Sequence, residues 1–199
     1  RSGKRKRLDI KPESIMRQLR QVLHKILTVG CVFAELHTDN IMVKQYSEDT
    51  YDIKIVDFTH AFVPKNLSHE QVESKLDELV ARIKKQLIAG NRIGGEVSLE
   101  SFRELVEDGD HLIAAGKQGF VVTRIDSEGK TIARKTYLGG SGEWNCENEA
   151  LWLQYLEEKG CSVPAYYGTG QTTQYELSYV DMEYLNGYET LREFTSYIS

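Results

Sequence analysis

Residues 89–95, Ala-Gly-Asn-Arg-Ile-Gly-Gly, are the only Gly-rich stretch of low hydrophobicity in this chain that looks like a join between two modules. Before the join, Ile15, Leu19, Val22, Leu23, Ile26 and Leu27 recur at helical spacing, which predicts an amphipathic helix over 14–29 ended by Gly30. Val32 to Val43 and Tyr51 to Phe58 are rich in β-branched and aromatic residues, and the polar stretch 45–50 between them suits a hairpin loop. Ser68 with Gln71 three residues on makes a capping box for a second helix, whose apolar stripe runs from Val72 to Leu87 and ends near Gly90. Beyond the join, a short helix from Ser98 leads to two or three antiparallel strands within 111–137, with a turn at Asp126-Ser127-Glu128-Gly129. A helix is expected over 144–158 and a strand or strand pair over 175–184. A further helix is expected to open within 189–197. The sum is an α+β chain, with 1–90 as a mainly helical module and 91–199 as a sheet-based one.

At 199 residues and 40% apolar content the chain can bury a sizeable core, as one compact domain or two docked lobes. A net charge of −5 argues against holding nucleic acid or an acidic membrane through bulk electrostatics, although Arg1, Lys4, Arg5, Lys6, Arg7 and Lys11 form a basic head. No apolar run resembles a secretory signal or approaches the length of a membrane span, so a soluble protein is expected. Three cysteines without CxxC spacing fit neither a disulfide framework nor a zinc site and point to a reducing compartment.

Two constellations carry chemistry. In the second module, Gly116-Lys117-Gln118-Gly119-Phe120-Val121 sits where one strand turns back on another, and glycines there let backbone N–H groups approach phosphates. Lys135 closes the strand segment Ile132-Ala133-Arg134-Lys135, and Glu149 faces inward on the predicted helix, where a carboxylate can keep a buried lysine charged. Met182-Glu183-Tyr184-Leu185-Asn186-Gly187 follows. Separately, each has a plain structural explanation: a hairpin turn, a strand lysine, a solvated helix carboxylate and a core methionine.

Together, in this order and spacing, they resemble the nucleotide-binding lobe of protein kinases over roughly 109–195. The resemblance implies an ATP site in which Gly116, Gly119 and Val121 cover the nucleotide and Lys135 contacts its phosphates. Glu149 would orient Lys135, and the Met182, Glu183 and Leu185 hinge would receive the adenine.

In the first module, Glu35-Leu36-His37-Thr38-Asp39-Asn40-Ile41-Met42-Val43 and Ile55-Val56-Asp57-Phe58-Thr59-His60 resemble the catalytic loop and metal-binding turn of the same superfamily. Asn40 and Asp57 stand at the positions of its magnesium ligands. Two registers remain for the group that orients the acceptor hydroxyl. One makes it Glu35, with His37 in the place of a phosphate-facing lysine; it is favoured because residues 40–43 run directly into a strand. The other makes it Asp39, in His37-Thr38-Asp39, but puts Lys44 where the metal asparagine belongs.

The nucleotide lobe stands second here rather than first, so the resemblance implies a two-lobed kinase-like fold with rotated chain order: a small antiparallel-sheet lobe and a reduced helical lobe. Ala114 replaces the first loop glycine, Thr59 replaces the glycine after Asp57-Phe58, and little after Phe62 resembles an activation segment. Such trimming resembles the minimal kinases that bacterial pathogens inject into host cells. The expectation is a monomeric, ATP- and magnesium-dependent Ser/Thr kinase acting on a protein, with the host cytosol as a candidate location. A lipid, inositol or small-molecule kinase is the first alternative, and only then would the basic head meet a membrane. A pseudokinase that binds partners without chemistry is the second.

Overall fold

In the computed structural model, which describes residues 9–63, 66–89 and 98–196, the first helix, α1 (Pro12–Thr28), starts with proline at its first turn, where a missing N–H costs nothing. It buries Ile15, Leu19, Leu23, Ile26 and Leu27 on one face. Gly30 ends it at φ +91°, a left-handed conformation that a side chain would resist. The β-rich stretch 32–43 then divides in two. Val32–Phe33 (β1) pairs with Ala61–Phe62 (β4), while Ile41–Gln45 (β2) pairs with Tyr51–Ile55 (β3), leaving 34–40 as a loop with one 3-10 turn. The expected hairpin is therefore confined to β2 and β3.

The second helix, α2 (His69–Ala89), has the expected capping box: the Ser68 N–H donates to Gln71 Oε1 at 2.8 Å, and the Gln71 N–H to Ser68 Oγ at 3.3 Å. It packs on α1, where Arg20 meets Glu73 and Asp77. The expected join at 89–95 falls almost entirely outside the described residues, as do Arg1–Arg7 of the basic head and Ser199.

The segment Leu99–Leu105 is a 3-10 helix. Its Phe102 packs with Phe120 and Val122 as a small satellite core. Then come β5 (His111–Gly116), β6 (Gly119–Ile125), β7 (Thr131–Tyr137), α3 (Gly142–Glu158), β8 (Tyr166–Gln171) and β9 (Ser178–Glu183). The strands form one antiparallel sheet in the order β5-β6-β7-β9-β8, with α3 in the connection between β7 and β8. The last elements, β10 (Glu189–Thr190) and α4 (Leu191–Thr195), leave this sheet. β10 pairs with β2 (Glu189 with Val43, Thr190 with Met42), and α4 carries its own capping box.

One continuous core joins the halves: residues of α1, α2, β2 and β3 share it with Tyr137, Leu153, Leu156, Val180 and Met182. Polar struts reinforce the junction. The Ser162 hydroxyl donates to Ile53 O at 2.6 Å, the Ile55 N–H to Ser162 O at 3.1 Å, and Lys54 reaches Glu183 at 2.8 Å. No helix among the described residues is long and apolar enough to cross a membrane.

Candidate active site

Side chains alternate across a strand, and on β7 this sends Arg134 to one face and Lys135 to the other. Arg134 is held by both oxygens of Asp181, at 2.7 and 2.8 Å, and stacks over the Tyr179 ring. Lys135 projects toward α3 and the turn that follows β3. Its ammonium lies 2.5 Å from Glu149 Oε2, 2.9 Å from Asp57 Oδ1 and 3.3 Å from Thr59 Oγ1. Residues 78 positions apart thus share one proton-rich centre. Lys135 and Asp57 touch directly rather than facing each other across an open cleft.

The centre has further members. Thr59, wholly buried, has its hydroxyl 2.7 Å from Asp57 Oδ1 and 3.0 Å from Glu149 Oε2. Tyr137, two residues beyond Lys135 on the same face of β7, donates its hydroxyl to the same Glu149 oxygen. Asn148 donates its side-chain amide to Thr59 O at 2.8 Å, and the Trp152 indole N–H donates to Ala61 O at 3.0 Å, so α3 grips the turn along its backbone as well. Asp57 itself sits at φ +67°, a sparsely populated conformation for a residue with a side chain.

Burial alone would raise the Asp57 carboxyl, but the Lys135 charge and the bonds from Thr59 and Lys135 outweigh it and hold the group at about 2. For Lys135, burial pulls downward, while Glu149 and then Asp57 push harder upward, so the ammonium stays charged. Burial, followed by the Glu149 carboxylate, pushes Tyr137 well up, so it remains a donor.

The remaining predicted residues distribute unevenly. Asn40 is buried at the head of β2, and its backbone carbonyl accepts from the N–H of Val56, the residue before Asp57, at 3.0 Å. Every hydrogen bond to Asp57 among the described residues falls on Oδ1, leaving Oδ2 for another partner. A carboxylate oxygen is a hard ligand of the kind magnesium takes beside phosphate oxygens and water, since that ion is seldom bound by an all-protein cage.

Asp39 is ion-paired to Arg192 at 2.6 Å. Glu35 is exposed and lines a groove of about 1020 Å³ with His60, Phe62, Trp144 and Leu151, beside the Lys135 cluster rather than over it. His37 is partly buried, with an Nδ1 that has no hydrogen-bond partner among the described residues. Among the described residues there is no group of three or more His, Cys, Asp or Glu side chains placed to hold a metal by themselves.

Gly116 and Gly119 flank a two-residue hairpin loop. A Cβ on Gly119 would fall 1.9 Å from Thr136 O, so that glycine is demanded by close approach to β7, whereas Gly116 has open space around it. The tip of the loop reaches across to the turn: Gln118 Nε2 lies 2.7 Å from His60 Nε2. Val121 pairs with Lys135 and packs on the main core. Met182 is buried, Glu183 braces Lys54, and the Leu185 carbonyl closes a turn with the Tyr188 N–H at 3.2 Å.

Tyr137 could have been anticipated from the period of two along β7. Asn148 had no signal beyond adjacency to Glu149, and Arg192 had none. No protein-family model, curated protein or solved structure matches the chain.

Proposed function

We propose that the chain is an ATP- and magnesium-dependent phosphotransferase of two-lobed, protein-kinase-like architecture, transferring phosphate to a hydroxyl of a protein. The observation that carries this is the Lys135 ammonium, joined at once to a helix carboxylate in its own lobe and to the turn aspartate of the other. Phosphoryl transfer asks a protein mainly for positioning and charge stabilisation, and kinases use a lysine on the third strand paired with a glutamate on the following helix. Lys135 stands on the third strand of its sheet in chain order and Glu149 on the helix after it.

In this proposal Lys135 holds the nucleotide phosphates and Glu149 holds Lys135. Asp57 and Asn40 would hold magnesium, which bridges phosphate oxygens and neutralises their charge, and Glu35 or Asp39 would orient the acceptor hydroxyl. The rotated chain order is supported by β10 and α4. After the hinge segment 182–187 the chain runs straight into the sheet of β2 and β3, as it must if the hinge leads to the lobe bearing the catalytic loop. Modules divided at residue 90 would then each be one lobe, with 189–195 returning to the first.

A second reading, a nucleotide-binding module without transfer, is favoured by the engagement of Asp39 with Arg192 and the exposure of Glu35. Incubation with labelled ATP and magnesium separates the two, using a protein extract in one arm and anionic lipid vesicles in another. Label in protein that disappears with Asp57→Asn supports the kinase. Label in lipid alone moves the acceptor to a head group. No label in either arm, with nucleotide still bound, leaves the binding module.

A further inference from the structure

Thr59 takes the place where a kinase-like turn has glycine, and among the described residues it is the one uncharged side chain hydrogen-bonded to all three charges of the cluster. Its Oγ1 is 2.7 Å from Asp57 Oδ1, 3.0 Å from Glu149 Oε2 and 3.3 Å from Lys135 Nζ. A buried hydroxyl is costly without partners, and bonds to ionised groups are the strong ones. Here one hydroxyl accepts from the ammonium and shares its proton between two carboxylates. Those carboxylates belong to two elements, the turn after β3 and the helix α3, and Thr59 reaches across 90 positions to the second. The branched Cβ leaves threonine few rotamers, so the hydroxyl is held in place by its own stiffness and by complete burial.

We propose that Thr59 is a positioning residue that clamps α3 onto the Asp57 turn, so that the Lys135, Glu149 and Asp57 cluster is assembled without a regulatory modification. Two features on the page act in the same direction. Asn148, adjacent to Glu149 on α3, donates to the carbonyls of Phe58, Thr59 and Ala61, so the helix holds the turn by its backbone while Thr59 holds the helix by its carboxylate. Asp57, at φ +67°, needs its surroundings to keep it there, and the hydroxyl and N–H of Thr59 both bond its Oδ1. In kinases the lysine–glutamate pair and the aspartate are brought into place by helix movement and activation-loop phosphorylation. Thr59 would make that alignment a fixed property of the fold. The catalytic consequence rests on the function proposed above; the structural one does not.

The test compares Thr59→Val, which keeps the shape and removes the hydroxyl, with Thr59→Ser, which keeps the hydroxyl, in the full chain. Hydrogen exchange is followed over residues 142–158, and the rate of label transfer to a protein extract and KM for ATP are measured with labelled ATP. Thr59→Val is expected to raise exchange in the first half of α3 by about tenfold, as the loss of one charge-assisted hydrogen bond would. It should also lower the rate of label transfer to the protein extract at saturating ATP by about tenfold or more, with KM for ATP unchanged.

Thr59→Ser should return both toward wild type. If the valine variant does not fold, Thr59→Ala serves in the same comparison. Exchange over α3 that is unchanged by loss of the hydroxyl overturns the clamp. Faster exchange in a protein whose wild type transfers no phosphate upholds the clamp and refutes the kinase.

Discussion

Replacing Lys135 with methionine keeps the length of the side chain and removes its charge from a site where two carboxylates converge. Glu149 is 1% exposed and Asp57 39% exposed by side chain, so the loss falls mainly on Glu149. Removing one partner of a buried ion pair costs about 3–5 kcal/mol, because the other charge is left uncompensated. Tyr137 and Thr59 still donate to Glu149, and solvent still reaches Asp57, which places Lys135→Met at the lower end, about 3 kcal/mol. For a chain of this size that is a fall of about 6–12 °C in Tm.

A double-mutant cycle isolates the pair. In a Glu149→Gln background no buried carboxylate remains on α3, so Lys135→Met should cost only about 1 kcal/mol, a coupling of about 2 kcal/mol. Urea unfolding of the four proteins measures both terms. A Lys135→Met cost that is the same in both backgrounds, or below about 0.5 kcal/mol, would refute the assignment of Lys135 as the charge that holds the cluster together.

Three further outcomes are expected. Asp57 is held below its unfolded pKa, so its ionised form stabilises the fold above about pH 4, and that contribution is lost as pH falls through 4 toward 2. Discounted for exposure, the stability difference between wild type and Asp57→Asn should be about 1 kcal/mol near neutrality and vanish near the acid end of a pH series of unfolding curves. Gly119→Ala should cost about 2–3 kcal/mol by forcing a Cβ against the Thr136 carbonyl, while Gly116→Ala should leave the melting curve in place yet weaken nucleotide binding. Glu35→Gln should lower kcat by about a hundredfold without changing stability. Asp39→Asn should mainly loosen the Arg192 pair, at about 1 kcal/mol, and the opposite pattern in kinetics would assign the base to Asp39.

The helices are legible in the sequence because their signals are local. The α1 stripe, the Ser68–Gln71 box and the turn at Asp126–Gly129 each depend on neighbours within a few residues. β8 is not legible: Tyr-Tyr-Gly-Thr-Gly-Gln carries two glycines and becomes a strand only because β9 offers it a partner. The partner of Val32–Phe33 is not legible for the same reason, since it comes from residues 61–62 rather than from the adjacent hairpin.

At the site, Lys135, Glu149 and Asp57 stand out in the sequence because they fall at positions that resemble those of a protein-kinase lysine, helix glutamate and metal aspartate. Thr59, Tyr137 and Asn148 do not, because a hydroxyl or amide acquires meaning only when folding lays the turn against α3. The Arg192–Asp39 pair, 153 positions apart, is a product of the chain's return through β10.

The most direct measurement is a calorimetric titration of ATP into the protein with and without magnesium, repeated with Asp57→Asn. Binding that saturates at about micromolar to millimolar nucleotide, the usual range for enzymes, is expected for wild type. It should be strengthened by magnesium, and Asp57→Asn should abolish that strengthening while leaving the protein folded. Absence of heat at millimolar ATP, or binding indifferent both to magnesium and to Asp57, would contradict a nucleotide site built around Lys135.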